Sequence, residues 1–324
     1  MKPTRRIFLA ASALLPFAAA TAHAQVWPQK PIKIVVTFAP GGSSDIVARL
    51  LQPGLQEKLG QTVIVENKPG AGSTIGANEV AKAAPDGYTL LLSNTAPMSI
   101  SPFMMDKAPY DPVKSFTHIA HIGSVPNVFV VHPSVPARTM PELVKWISAQ
   151  TTPVNYGSGG VGSIGHIVGE MFKNQYKLKM EHVPYKGSSP MHTDLLGGQL
   201  QFAVDTLTQN VPYMKDGKLV GIAVTSRARA PMSPNVPSVV EAGYPKLLAE
   251  NFLGISAPAG TPKDVVDKVN AAVADVVSRP DVAKRLADLG VAVEKMSPAE
   301  FTKFVSDQVT EWAPEVKASG ARLN

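Results

Sequence analysis

A chain of 324 residues, 44% of them hydrophobic, can bury one large core or two of ordinary size. It contains no cysteine, so a thiol nucleophile and disulfides are excluded and the fold must rest on packing. The formal charge of +6, from 31 basic and 25 acidic residues, comes with no basic run longer than two, which excludes the clustered cations of a nucleic-acid surface.

The chain opens "MKPTRRIFLAASALLPFAAATAHAQ". Lys2, Arg5 and Arg6 precede an uncharged apolar run from Ile7 to about Ala22, and the small-x-small triplet Ala22-His23-Ala24 follows. This pattern predicts a secretory signal over residues 1–24, cleaved before Gln25, and a periplasmic product. "TRRIFLA" fits the twin-arginine route as well as the ordinary one, and the sequence leaves both open. No later run reaches about 18 apolar residues, so a soluble exported protein is expected and not a membrane one. Without the signal's three basic residues the charge falls from +6 to +3.

After Gln25, short β-branched runs alternate with segments of helical period, which predicts an α/β chain with a largely parallel sheet. "PIKIVVTF" reads as a buried first strand, and "SDIVARLLQPGLQEKLG" as the next helix, stopped at Gly60 and kinked at Pro53-Gly54. "TVIVENK" is a strand, "GAGSTIGANEVAKAA" a glycine loop opening a helix, and "GYTLLLSN" a third strand. Character changes near "HIGSVPNVFVVHP", where a second cycle starts: a helix at Met140–Ser148, strands "VNYGSGG", "MEHVPYK", "LQFAVDT" and "LVGIAVTS", and helices at Ser163–Tyr176 and through "MHTDLLGG". A proline-rich passage leads to "NFLGISAPAGTP", and three helical segments close the chain. Two similar lobes follow, with crossings near residue 125 and between 225 and 255. The expected division is 25–124 and 250–324 for one lobe and 125–249 for the other.

Four segments put small residues or exposed backbone after strands: Ala39–Asp45, Gly70–Gly76, Ser93–Pro97 and Gly157–His166. In open parallel sheets such loops share a crevice at the carboxyl ends of the strands. Glycine lets backbone approach a ligand, and the first N–H groups of a helix lack internal partners. The set predicts an anion site of backbone donors, with Ser43, Ser44, Ser73, Thr74, Ser158 and Ser163 adding hydroxyls. No lysine opens these helices as in a phosphate-binding P-loop, and Asp45 would repel a doubly charged phosphate, so a carboxylate is favoured. Asp45 either caps its helix or holds the loop or a ligand amine.

"GSGGVG", Gly157–Gly162, matches the dinucleotide fingerprint G-x-G-x-x-G, with Glu181 about twenty residues on. Its mid-chain place, Glu181 inside a strand and export from the cytoplasm argue against it. No serine stands in G-x-S-x-G. His118 and His121, three apart on an extended segment, should face opposite sides and share no metal. His166 either points into the cleft or bonds a neighbouring carbonyl. Asp205 either caps a helix or orients a cleft loop or a ligand hydroxyl or amine. No catalytic set, metal site or cofactor is expected.

"WPQKPIKIVVTFAPGGSSDIVARLL", "VIVENKPGAGSTIGANEVAKAAPDGYTLLL", "YGSGGVGSIGHIVGEMFK", "VPYKGSSPMHTDLLGGQLQFAVD" and "GKLVGIAVTS" together resemble the extracytoplasmic receptors of the tripartite tricarboxylate transporters, the Bug receptors, over nearly all of the mature chain. The resemblance implies a monomeric two-lobed periplasmic binding protein, type II-like, with its ligand cleft between the lobes. It would close over a small organic acid, whether a di- or tricarboxylate, hydroxy acid, acidic amino acid or aromatic acid, for a membrane permease. Carried over by position, first-lobe contacts fall at Phe38, Ala39, Pro40, Gly41, Gly42, Ser43 and Ser44 and at Ala71, Gly72, Ser73 and Thr74. The strand-end loop at Ser93, Asn94 and Thr95 joins them. Second-lobe contacts fall at Gly157, Ser158, Gly159, Gly160, Ser163, His166, Tyr185, Lys186, Gly187 and Asp205. An exported enzyme acting on a carboxylated or acyl substrate in the same cleft is the rival expectation.

Overall fold

A computed structural model describes residues 27–323, so the signal segment expected over 1–24 lies outside the described residues. β1 (Ile32–Val36) is apolar on both faces and is buried except at Lys33, as a strand covered by helices on both sides must be. α1 (Ser43–Leu59) follows it and ends at Gly60, whose φ of 69° is one glycine adopts freely and whose N–H returns to the Gln56 carbonyl at 2.9 Å. Pro53 lies within α1 without ending it. Gly54 faces a later helix so closely that an added Cβ would sit 2.8 Å from the Val276 methyls. β2 (Val63–Asn67), α2 (Thr74–Ala81) and β3 (Thr89–Asn94) complete the first cycle.

The change of character near residue 125 is not a linker. β4 (Phe116–Val131) runs through it as one strand of 16 residues. The second cycle holds α3 (Met140–Ser148), β5 (Val154–Ser158), α4 (Ile164–Tyr176), β6 (Met180–Pro184), α5 (Ser188–Leu196), β7 (Phe202–Thr206), α6 (Leu207–Lys215) and β8 (Val220–Val224). β9 (Glu250–Pro258) leads to α7 (Lys263–Ser278), α8 (Pro280–Asp288), β10 (Ala292–Val293) and α9 (Pro298–Ser319).

The pairing explains the two lobes. In the first, β2, β1 and β3 are parallel neighbours, β9 runs against β3, and β4 runs against β9. In the second, β6, β5 and β7 are parallel neighbours, β4 runs against β7, and β8 runs against β4. Both sheets therefore carry the order 2-1-3, then a strand that arrives from the other lobe against the rest, then a fourth. β4 changes partner between Pro126, opposite Glu250, and Asn127, opposite Thr206. Thr225, fully buried, ties this point to the second crossing: its hydroxyl accepts the Asn127 N–H at 2.8 Å and donates to the Ala249 carbonyl at 2.5 Å.

Each lobe has its own apolar core, one between β1, β3, β9 and the helices α1 and α7, the other between β5, β7 and α4. The C-terminal helix departs from its assignment of 250–324 to one lobe. Phe301 and Val305 of α9 pack on Val35, Leu91 and Phe252, whereas Trp312 and Val316 belong to the core with Phe172 and Val168. His118 and His121 also depart from expectation. The ladder with β9 slips between His118 and Ala120, and this bulge turns both rings to one side, where each lies 5.5 Å from the Phe301 ring. Among the described residues no helix is long and apolar enough to cross a membrane, and no cluster of His, Cys, Asp and Glu suits a metal ion.

Candidate functional site

A cavity of about 220 Å³ lies where the two sheets meet, at the carboxyl ends of their parallel strands. Of the residues expected there, Phe38, Ala39, Pro40, Gly41, Gly42, Ser43 and Ser44 line one wall and Asn94 stands beside them. Gly159, Ser163, Lys186, Gly187 and Asp205 line the opposite side.

The walls are made of helix beginnings. α1 opens at Gly42, α5 at Gly187 and α6 at Thr206, and none of these three carries a side-chain cap, so their first N–H groups are not claimed by a capping oxygen. α4 joins them with Ser163, Ile164 and Gly165, although its cap is filled: the Ser163 hydroxyl accepts the His166 N–H at 3.3 Å. The positive ends of four helix dipoles thus face one small space, which favours a negative group by roughly 0.3–1 kcal/mol per helix, and more where water is excluded. Lys186 is the one side-chain cation in the lining and has no carboxylate within ion-pair distance among the described residues.

The two acids near the cavity differ in role. Asp45 is buried outside the lining and holds its own loop, accepting the Gly41 N–H, the Arg49 guanidinium and the Asn67 amide at 2.9 Å each. It does not cap α1. Asp205 does line the cavity, yet Ser188 Oγ donates to one oxygen at 2.8 Å while Asn210 Nδ2 at 3.2 Å and His192 Nε2 at 3.4 Å meet the other. It holds the start of α5 through Ser188.

Several expected residues stand behind the wall. Ala71, Gly72, Ser73 and Thr74 form a tight turn that misses the cavity; Ala71 and Ser73 hold φ of 45° and 78°, and the Ser73 and Ser101 hydroxyls both bond the Gly72 carbonyl. This turn meets the other lobe instead, since an added Cβ on Gly162 would lie 3.4 Å from Gly72 Cα. Ser93 bonds Ser256 and Thr95 bonds Phe252, both in the interior. Gly157 is buried against Met191 and Leu200, and Gly160, at φ 129°, passes close to the Tyr185 carbonyl. Ser158 is spent on His182, Gly160 and Ser163, and the Tyr185 hydroxyl on Asp194 at 2.7 Å. His166 takes its second expected character, that of a helix histidine bonded to backbone, though to an amide and not a carbonyl: its Nδ1 accepts the Gly162 N–H at 3.3 Å.

The lining also holds residues that the sequence reading missed: Asn127, Ser188, Ser189, Pro190, Thr206, Gln209 and Asn251. α5 begins three residues before the stretch from Met191, and α6 was not anticipated because Pro212 interrupts a polar segment. Gln209 on α6 reaches across to the first wall, donating from Nε2 to the Gly41 carbonyl at 2.9 Å. For Thr206 and Gln209 the signal was the strand-end rule already applied to β1 and β5, extended to β7, and for Ser188, Ser189 and Pro190 the same rule extended to β6.

Beneath the Gly157–Ser163 loop, His166 and His182 stack at 3.9 Å with their planes 17° apart. Burial lowers His166 to about 4, against Glu170, which raises it, and with Lys173, which lowers it further. Burial first, then His166 and Lys173, lower His182 to about 3. The Tyr156 ring, 5.0 Å from His182, and the Ser158 hydroxyl complete the surroundings. An unfolded histidine binds its proton near pH 6.5, so in the window between there and about 4 the unfolded chain holds protons that the folded chain does not. Stability is therefore complete above about pH 6.5 and falls as the pH drops toward the folded values. The melting temperature should be several degrees lower at about pH 4.5 than at pH 7, with a shallower slope in His182→Gln; an equal slope in that variant would remove the pair as its source.

Residues 47–321 match the family described as the tripartite tricarboxylate transporter family receptor. The protein BugT of Bordetella pertussis is 32% identical over 318 residues, which are 98% of this chain and 96% of BugT. Among solved structures, MatC from Rhodopseudomonas palustris with bound malate is 31% identical with a TM-score of 0.84, over 90% of this chain and 100% of that one. The periplasmic binding protein BugD is 34% identical with a TM-score of 0.82, over 91% and 99%.

Proposed function

The chain belongs to the tripartite tricarboxylate transporter receptors, a family of periplasmic solute-binding proteins, and from that premise we propose that it captures a small carboxylated organic solute by closing its two lobes and presents it to a membrane permease. The observation that carries this reading is the convergence of the α1, α5 and α6 N-termini, uncapped by side chains, on one cavity between the sheets. A carboxylate with one charge and two oxygens can be held by a few neutral N–H donors, and malate is bound by the relative MatC.

In this reading Gly42, Ser43 and Ser44 grip one carboxylate from the first lobe. Gly159, Ser163, Lys186, Gly187 and the start of α6 meet the ligand from the second, and Gln209 spans the gap to Gly41. The first lobe takes residues up to 126 and from 250, apart from the end of α9, and the second takes 127–249. Export through a signal at residues 1–24 supplies the compartment. The role is capture, with no bond made or broken in the solute.

A panel of dicarboxylates, tricarboxylates, hydroxy acids, acidic amino acids and aromatic acids tests it by thermal shift. The true ligand should stabilise the folded state by about 2.7 kcal/mol at a hundredfold excess over Kd and be recovered unchanged by mass spectrometry. No shift across the panel would sink the reading, and a chemically altered ligand would replace it with an enzyme.

A further inference from the structure

Asn127 is 3% exposed, lines the cavity, and stands at the point where β4 passes from one sheet to the other. Its backbone is spoken for: the N–H donates to Thr225 Oγ1 at 2.8 Å, and the carbonyl accepts the Thr225 N–H at 2.9 Å. Its side chain is not, since Nδ2 is buried and has no hydrogen-bond partner among the described residues. A buried donor left unpaired is costly, and such groups are few in folded proteins. A valine or isoleucine would extend the apolar strand here without that cost, because the following residues Val128, Phe129, Val130 and Val131 are all fully buried and apolar.

We propose that Asn127 is a ligand-binding residue, whose side-chain amide donates to an acceptor oxygen of the bound solute at the hinge wall of the cavity. The inference rests on the solute-binding reading and deepens it. The helix N-termini supply backbone donors from the two lobes, whereas Asn127 supplies a side-chain donor from the strand that joins them. Backbone amides recognise a carboxylate of any kind; a fixed side-chain amide at the back wall adds a demand on where the ligand's next oxygen lies. With its backbone pinned through Thr225 to both crossings, the amide has little freedom to follow a ligand of the wrong shape.

The test separates binding from stability in Asn127→Ala and Asn127→Asp, with malate and any other panel member that shifts the wild type as probes. For a residue kept for the ligand, unliganded Asn127→Ala melts at or above the wild-type temperature while its Kd rises about tenfold or more, the loss of one good hydrogen bond. Asn127→Asp keeps the shape, replaces the donor by a negative acceptor facing an anion, and should lose binding by about a hundredfold or more. Wild-type affinity in both variants overturns the assignment while leaving the solute-binding reading intact. A lowered unliganded melting temperature in Asn127→Ala also overturns it, because the amide would then be holding the strand. Failure of the wild type to bind any member of the panel removes both.

Discussion

Gly42→Val is expected to abolish carboxylate binding, by about a hundredfold or more in Kd, in a protein that still folds. Gly42 is the N-cap of α1, with φ −75° and ψ 165°, a conformation open to any residue. A Cβ built there meets only the Ala39 carbonyl oxygen, at 3.6 Å, which is ordinary contact. Valine is a poor N-cap beside glycine, so about 1 kcal/mol of stability should be lost, too little to unfold a two-lobed chain. Its methyl groups, however, occupy the side of the cavity onto which the first N–H groups of α1 open. Losing two hydrogen bonds to a charged oxygen, at about 1.5–3 kcal/mol each, accounts for the expected drop. Isothermal titration with the ligand found in the panel measures the affinity and far-ultraviolet circular dichroism the fold. Wild-type affinity would take α1 out of the site.

Gly165→Ala should instead destabilise the fold, by about 3 kcal/mol or more, and lower the melting temperature by roughly 5–10 °C. Helix propensity alone argues the other way, since alanine inside a helix is worth about 1 kcal/mol over glycine. Contact decides the sign. The new Cβ would lie 2.0 Å from the Val204 carbonyl oxygen, and this neighbour is backbone of β7, with no rotamer to turn. α4 must therefore move off the sheet, displacing Ser163 and Ile164 within the second-lobe wall that they share with Asp205 and Thr206, so affinity should fall as well. Calorimetric melting tests this; an unchanged or raised melting temperature would mean that α4 and β7 are not in such close contact.

The first wall of the site was legible because its signal is local. A buried β-branched strand, a Pro-Gly-Gly turn and a helix of apolar period stand in order from Ile32 to Leu59, and the N-terminus they make faces the cavity. The opposite wall was legible only in part. The strand-end loop at 157–166 is readable from local pattern and 185–187 only through the resemblance to the receptor family, and which residue of a loop turns toward the cavity depends on packing from elsewhere. Ser158 is drawn inward by His182, and Tyr185 outward by Asp194. The turn at 71–74 follows the same rule as its neighbours yet packs on Ser101 and Gly162, which lie 29 and more residues away in sequence. Asn127 and Asn251 carry no motif, because their meaning comes from the point at which β4 changes sheets beside the start of β9. His118 and His121 were misjudged for a related reason: period-two reasoning assumes an unbroken ladder, and the bulge at Ile119 breaks it.

The shared strand β4 bears on how divisible this protein is. In the second sheet β4 lies between β7 and β8, so a cut between Pro126 and Asn127 that separated the halves and took the strand away would leave two raw sheet edges in the middle of that lobe. In the first, the same strand carries β9 on one side and β10 on the other. α9 adds a second stitch, with Phe301 seated in one lobe's interior and Trp312 in the other's. The two halves look like duplicated modules when their strand orders are compared, but neither can be excised as a free-standing unit, grafted onto another protein or exchanged for a relative's half along a single junction. Any recombination of the specificity of one lobe with that of another must exchange the loops at the helix N-termini and keep the through-strand and the C-terminal helix of a single parent.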